Sequence, residues 1–205
     1  AGLTGQSDDD DQLYLDVAQT RQLLALARNA PTPRRSALYR ERDLAVLEVL
    51  AVTGARASEV TGLDLAGLQR PAPSSSAALR IVGTGGKVRP AQTDAHVAND
   101  IEAWIAVRAD MLHRRAPVLA VQASPEEQPL FCTRTGTRLS PGYLGDIIKR
   151  VASADGSPLA GIASELHPHA LRGAFVTAAL DAGIPIEEVA AAVGHAHIST
   201  TLRYD

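Results

Sequence analysis

The segment spanning residues 37–52 constrains the fold more than any other, because it is too apolar to lie at a protein surface. Its aliphatic side chains are Leu44, Val46, Leu47, Val49 and Leu50. They spread over most of a helix surface, which predicts a helix in the centre of the core. Gly54 follows, where a glycine can end the helix in the left-handed conformation. Arg56 therefore lies just past the end of a buried helix.

The rest of the sequence predicts an α+β domain that is mostly α-helical, with one small antiparallel sheet. Two extended runs, 77–82 and 88–93, flank the glycine-rich segment 83–87, a pattern typical of a β-hairpin. Ser58 is predicted to cap a short helix. Apolar spacing, prolines and caps predict helices at 16–30, 58–62, 94–114, 141–154, 169–182 and 186–193, and a last short segment that carries Tyr204.

Length and composition favour one soluble domain. A chain of 205 residues that is 45% hydrophobic can bury one good core. Residues 1–12 are expected to be a disordered acidic leader or linker remnant, and 13–205 the structured domain. Neither a membrane span nor a secretory signal is recognisable, and the single cysteine, Cys132, cannot form an internal disulfide. We therefore expect a cytoplasmic protein without a membrane partner.

The charge balance does not decide for or against a nucleic-acid partner. The formal net charge is −3, which offers no overall attraction to a polyanion. The acidic run at residues 8–11 accounts for this value, because without it 20 basic residues face 19 acidic ones. Only Lys87 and Lys149 are lysines, so the positive charge is concentrated in arginine, which binds phosphate through two nitrogens at once. A local basic face is compatible with this composition.

Three short motifs place chemically capable side chains in a fixed order along the chain. They are Thr-Gly-x-Arg-x-Ser-Glu at 53–59, Pro-His-x-Leu-Arg at 168–172, and Gly-His at 194–195 followed by Tyr204. In the second motif, His169 and Arg172 lie three residues apart at the start of a helix, so their β-carbons face one side roughly 5–6 Å apart. One tyrosine near a chain end is ordinarily a packing residue, but the joint pattern is hard to obtain by chance.

These motifs resemble the catalytic domain of the tyrosine recombinases, the phage integrase family, over most of residues 16–205. The resemblance implies an enzyme that cuts and rejoins double-stranded DNA through a 3′-phosphotyrosyl intermediate, with Tyr204 as the nucleophile and no metal or other cofactor. A phenol with a pKa near 10 is only about a thousandth ionised at neutral pH, so it needs a base or a positive field. The resemblance places these groups around the scissile phosphate: Arg56, His169, Arg172 and His195.

The hairpin departs from the family pattern at the residue expected to protonate the leaving 5′ oxygen. Relatives typically carry Gly-Lys-Gly-x-Lys-x-Arg, whereas this chain reads Gly-Thr-Gly-Gly-Lys-Val-Arg at 83–89. Thr84 takes the usual lysine position, and Lys87 remains the candidate for the general acid. A second departure is Gly173-Ala174, where relatives often have a polar pair.

Two groups of candidate residues have a second interpretation. Glu59, three residues after Arg56, is either a solvated carboxylate or the partner that fixes the Arg56 guanidinium. His169 and His195 each belong to a His-x-His pair that can in principle ligate a metal. Residues two apart on a helix point away from each other and no acidic cluster accompanies them, so we expect no metal site there.

Two other functions share the same residues. A type IB topoisomerase uses the same arginine, histidine and tyrosine chemistry but rejoins the same strand. A DNA-binding or assembly protein can keep the fold after losing activity, an interpretation that Thr84 favours.

The resemblance also implies partners beyond DNA. A recombinase works with other protomers of itself, as a tetramer on DNA and a monomer when free, in the nucleoid when bound. A separate amino-terminal DNA-binding domain has no counterpart here, so we expect the chain to be a fragment or to have had that domain removed. In the free protein, segment 199–204 is expected to hold few buried contacts, with Tyr204 displaced from the other site residues.

Overall fold

The computed structural model describes residues 13–29, 39–73, 75–115, 124, 128–195 and 198–201. Its helices are α1 (Val17–Asn29), α2 (Arg40–Thr53), α3 (Ala57–Thr61), α4 (Ala95–Arg115), α5 (Pro141–Ala152), α6 (Pro168–Asp181), α7 (Ile186–Val193) and α8 (Ile198–Thr201). Its strands are β1 (Leu68–Gln69), β2 (Ala77–Val82) and β3 (Val88–Thr93), which form one antiparallel sheet in the order β1-β2-β3. The predicted mostly helical α+β class is confirmed.

Helix α2 lies at the centre of the core, as its sequence predicts. Every residue from 42 to 50 is buried, and the helix contacts α1, α4, α6 and β3. Gly54 ends it in the left-handed region, at φ 56° and ψ 21°. A β-carbon on Gly54 would lie 2.6 Å from Phe175 Cδ1 and 2.9 Å from Val193 Cγ1. This close packing of α6 and α7 against the turn requires glycine there.

The hairpin has the predicted bounds. Strands β2 and β3 pair from Ala77 opposite Thr93 to Val82 opposite Val88. The short strand β1 adds a third member to the sheet through its pairing with Leu79 and Ala78.

The predicted leader at 1–12 lies outside the described residues. Within the ranges given above, no helix combines the length and the apolar character needed to cross a membrane.

Candidate active site

Arg56 lies at the turn between α2 and α3. It is the N-cap of α3, with φ −70° and ψ 152°, so the prediction of Ser58 as the cap is wrong. The reason is Glu59, whose Oε2 accepts the Arg56 backbone N–H at 2.9 Å and caps the helix from its third residue. The Arg56 side chain is 39% exposed. Its guanidinium can therefore meet an anion from solution.

Glu59 is not a solvated carboxylate, because its side chain is only 3% exposed. Oε1 accepts from Arg56 Nη1 at 3.3 Å, and Oε2 also accepts from Arg89 Nη2 at 2.9 Å. Arg89, on β3, is not among the residues predicted from the sequence. The sequence did contain a signal for Arg89, because it occupies the final arginine position of the family's Gly-Lys-Gly-x-Lys-x-Arg hairpin motif.

Arg172 is buried on α6 and joins two distant segments of the chain. Its Nη1 donates to the Gly54 carbonyl at 2.6 Å, and its Nη2 donates to the Val193 carbonyl at 2.9 Å. These carbonyls stand at the carboxyl ends of α2 and α7, where backbone oxygens lack partners within their own helix and the helix dipole is negative. The guanidinium is thus fixed by both helix ends.

A concavity of about 270 Å³ is lined by Arg56, His169 and Arg172, together with His167 and Pro141. Three of the predicted site residues, from α3 and α6, therefore meet around one space. The His167 and His169 rings are stacked, with centroids 6.2 Å apart and planes 25° apart. Two arginines and two histidines at one concavity form a site suited to an anion such as phosphate.

Tyr14, which precedes α1, packs against the same region. A β-carbon on Gly173 would lie 2.1 Å from Tyr14 Cδ1, and the Tyr14 ring is 6.0 Å from the His169 ring. The space that Gly173 leaves open is therefore filled by an aromatic ring beside His169. This gives a packing reason for glycine where relatives often have a polar residue.

His195 follows Gly194, the left-handed cap of α7. Its Nδ1 lies 2.7 Å from the Thr201 Oγ1 on α8. Burial, and then the positive charges of Arg172, Arg56 and His169, lower the pKa of His195 to about 4. His195 is therefore neutral at physiological pH and lies within electrostatic reach of the residues that line the concavity.

Acidification is expected to destabilise the fold through His195. Its ordinary pKa is 6.5, and its value in the folded protein is about 4. Between these values the unfolded chain binds a proton that the folded chain excludes, so this contribution to stability is present above about pH 6.5 and is lost as the pH falls toward 4. We expect the unfolding free energy in urea to fall less between about pH 7.5 and 5 in His195→Gln than in the wild type.

The matched control is His113→Gln, since His113 is an exposed histidine on α4. It should keep the wild-type dependence on pH. The same pH dependence in all three proteins would contradict the assignment to His195.

Lys87 lies at the end of the hairpin turn with its side chain exposed, and Thr84 is exposed beside it. The turn contains two glycines at positive φ, Gly85 at 73° and Gly86 at 75°. Within the described residues, no hydrogen bond or ion pair joins Lys87 to the residues of the concavity. The hairpin nevertheless touches the site at Gly83, where an added β-carbon would lie 3.2 Å from Glu59 Oε1.

Tyr204 and His197 lie outside the described residues. The described chain reaches Thr201, which is buried and bonded to His195. Buried contacts therefore extend into the segment 199–204, further than expected from its position near the end of the sequence.

Within the described ranges, the cluster with metal-ligating chemistry is Glu48, His96 and Asp100. Arg28 lies among their ligand atoms. Its Nη2 is 2.5 Å from Glu48 Oε1, 2.6 Å from His96 Nε2 and 2.7 Å from Asp100 Oδ2. The guanidinium thus supplies the positive charge of this cluster and ties α1 to α2 and α4.

Sequence comparison identifies related proteins. The model of the phage integrase family matches residues 14–205. Tyrosine recombinase XerD of Bifidobacterium longum is 31% identical over 163 residues, which cover 80% of this chain and 49% of the relative. Tyrosine recombinase XerC of Azotobacter vinelandii is 31% identical over 190 residues, which cover 93% and 54%. This chain spans about half the length of these relatives.

Solved structures share the fold. The XerH site-specific recombinase in a post-cleavage complex with a palindromic difH substrate has a TM-score of 0.75 at 20% identity, covering 100% of this chain and 52% of that one. The XerA recombinase has a TM-score of 0.68 at 22% identity, covering 94% and 59%.

Proposed function

The chain belongs to the phage integrase family, and from that premise we propose that it is the catalytic domain of a site-specific tyrosine recombinase. It cuts and rejoins DNA through a 3′-phosphotyrosyl intermediate. The observation that carries this proposal is the meeting of Arg56, His169 and Arg172 around one concavity, with the neutral His195 within electrostatic reach. These residues come from motifs far apart in sequence, and a phosphodiester is the DNA group that such a cationic site fits.

In the proposed reaction, the arginines and His195 stabilise the scissile phosphate. Arg56, accessible and held by Glu59, binds a non-bridging oxygen, and Arg172 supports the same charge from the wall of the concavity. His195 has its Nδ1 2.7 Å from the Thr201 Oγ1, and its Nε2 is the atom proposed to contact a phosphate oxygen. Each such group is expected to contribute about 2.7–4 kcal/mol in the transition state, by analogy with an oxyanion-hole donor.

Bond making and breaking then follow from one in-line attack. The Tyr204 oxygen forms a bond to phosphorus as the bond from phosphorus to the 5′ oxygen breaks. The phenol proton passes to His169, and Lys87 supplies a proton to the departing 5′ oxygen. The 5′ hydroxyl of a second strand reverses these steps, so no metal ion and no ATP is consumed.

The groove next to the site supports double-stranded DNA as the partner. It has a volume of about 570 Å³ and is lined by Arg134, Thr133, Thr135, Thr137 and Ser140 among others. Ser140 of this groove and Pro141 of the concavity are consecutive residues at the start of α5. Hydroxyls and an exposed arginine are typical contacts to a DNA backbone.

The proposed assembly is a tetramer of protomers on DNA and a monomer in the free protein. Sedimentation with and without a bound duplex measures both states.

The test is covalent capture on a nicked suicide duplex with a randomised core. The proposal expects a protein–DNA band that survives denaturation, and sequencing of its DNA gives the target. EDTA should leave the yield unchanged. Loss of the band in EDTA with recovery in zinc or magnesium would instead favour a metal site at the histidine pairs.

Two outcomes assign the chain to another function. Relaxation of supercoiled plasmid lacking the selected target would indicate a type IB topoisomerase. DNA binding without any covalent band would indicate a binding or assembly protein, the function that Thr84 and the exposed Lys87 favour.

Lys87→Ala is expected to slow cleavage of ordinary DNA far more than cleavage of a substrate with sulfur in place of the bridging 5′ oxygen. The thiolate leaves without protonation, so it does not need the acid. The measurement is the single-turnover rate on each substrate, with Lys149→Ala on α5 as the matched lysine control. Equal slowing on both substrates would remove Lys87 from the role of general acid.

A further inference from the structure

One buried carboxylate joins the hairpin to the candidate phosphate site. Glu59 accepts from Arg56 through its backbone N–H and its Nη1, and from Arg89 through Nη2. Arg89 lies 30 residues further along the chain, on a different element. The Glu59 carboxylate is therefore shared by two guanidinium groups.

The two arginines differ in exposure. The Arg89 side chain is 15% exposed, whereas that of Arg56 is 39% exposed. Burial lowers the pKa of Arg89, the Glu59 carboxylate opposes this change, and the charge of Arg56 adds to it. Arg89 is thus the inner member of the trio, and Arg56 is the member that faces the concavity.

Because Arg89 and Arg56 share the Glu59 carboxylate, Arg89 affects how much positive charge Arg56 can offer to an anion. A buried Glu59 paired with Arg56 alone would cancel its charge and compete with a phosphate for its N–H groups. With Arg89 as a second partner, the trio carries one net positive charge. Glu59 can therefore hold Arg56 in place while Arg89 supplies the charge that leaves Arg56 able to attract an anion.

Arg89 also contacts the segment that carries His195. Its Nη2 lies 3.5 Å from the Val193 carbonyl, which accepts from Arg172 as well. A β-carbon on Gly194 would lie 3.1 Å from Arg89 Nε. Arg89 therefore packs where β3, α3 and the end of α7 meet.

We propose that Arg89 is a positioning residue that acts through Glu59 to fix the guanidinium of Arg56 for phosphate binding. This inference rests on the proposed function, because its effect is on strand cleavage. It assigns Arg89 no contact with DNA.

The test uses Arg89→Ala and Arg89→Lys, with Arg80→Ala as the matched control, since Arg80 is an exposed arginine on the neighbouring strand β2. Single-turnover cleavage is measured on the suicide duplex with oxygen and with sulfur at the bridging 5′ position. We expect Arg89→Ala to slow cleavage about 10–100-fold, as loss of a supporting partner commonly does. Arg89→Lys keeps the positive charge but loses the planar guanidinium. Its cleavage rate should lie between the rates of Arg89→Ala and the wild type.

Two readouts separate positioning from a purely structural effect. The slowing should be equal on the oxygen and sulfur substrates, because Arg56 acts on the non-bridging oxygens and not on the leaving group. In an Arg56→Ala background, adding Arg89→Ala should cause little further slowing. Circular dichroism at the assay temperature checks that each variant is folded, and Arg89→Lys carries the test if Arg89→Ala does not fold.

The outcomes distinguish this inference from the proposed function. If the wild type forms no covalent band, the proposed function fails, and the inference fails with it. Two results would overturn the inference alone, provided that the wild type and Arg80→Ala cleave DNA. In the first, the Arg89 variants cleave as fast as the wild type. In the second, Arg89→Ala slows cleavage as strongly in the Arg56→Ala background as it does in the wild type.

Discussion

Replacing Tyr204 with phenylalanine is expected to abolish covalent capture of DNA while folding and DNA affinity stay close to those of the wild type. The substitution removes one oxygen, the atom that forms the phosphotyrosyl bond, and keeps the aromatic ring. In the proposed mechanism the arginines and histidines of the site bind the phosphate or transfer protons, and the phenol oxygen is the nucleophile. The measurement is the denaturation-resistant band on the suicide duplex, with affinity from a binding assay on the same DNA.

The other three tyrosines of the chain are the matched controls. The Tyr143 hydroxyl accepts from Arg42 Nη2 at 3.1 Å, and the Tyr39 ring lies 4.2 Å from the Arg42 guanidinium carbon. Tyr14 packs on Gly173. Each of these phenylalanine variants should still form the adduct. A band that persists in Tyr204→Phe and disappears in one of them would assign the nucleophile to that residue.

Gly54→Ala is expected to destabilise the protein by about 2–5 kcal/mol. A left-handed backbone costs a residue with a β-carbon about 1–2 kcal/mol, and a methyl forced against Phe175 and Val193 adds about 1–3 kcal/mol of overpacking. This is a large part of the total stability of a typical domain, about 5–15 kcal/mol. The measurement is urea unfolding.

Gly183→Ala separates the two contributions, because Gly183 has φ 77° and no atom within 4 Å of an added β-carbon. Gly183→Ala should lower the free energy of unfolding only by the cost of the left-handed backbone, about 1–2 kcal/mol. In Gly54→Ala, cleavage should slow as well, because the moved carbonyl is an acceptor of Arg172. Equal destabilisation in both variants would contradict the steric argument.

Local signals in the sequence predict most of the fold. Helix α2 follows from its run of aliphatic residues, and the hairpin follows from two extended runs around glycines. Strand β1, with only two residues, has no such signal because its pairing depends on β2. The cap of α3 was wrongly assigned to Ser58, because Glu59 reaches back to the Arg56 N–H and moves the start of the helix.

Some residues of the candidate site can likewise be predicted from the sequence, and others cannot. Motif spacing predicts Arg56, His169 and Arg172, which line one concavity. Arg89 and Tyr14 were not predicted, because their relation to the site comes from packing between elements distant in sequence. For Lys87, the sequence shows the position in the turn but not the outward direction of the side chain, which only the folded hairpin reveals.

The guanidinium of Arg172 bonds to the carbonyl of a residue 118 positions earlier and to one 21 positions later. During synthesis the ribosome must therefore release all of α7, which ends at Val193, before Arg172 can make both bonds. Under the proposed function, a nascent or prematurely terminated chain that ends before Val193 holds Arg56 and Arg172 but lacks one of the two carbonyls that fix the Arg172 guanidinium. We therefore expect the proposed cleavage of DNA only from chains that have been synthesised at least to the end of α7.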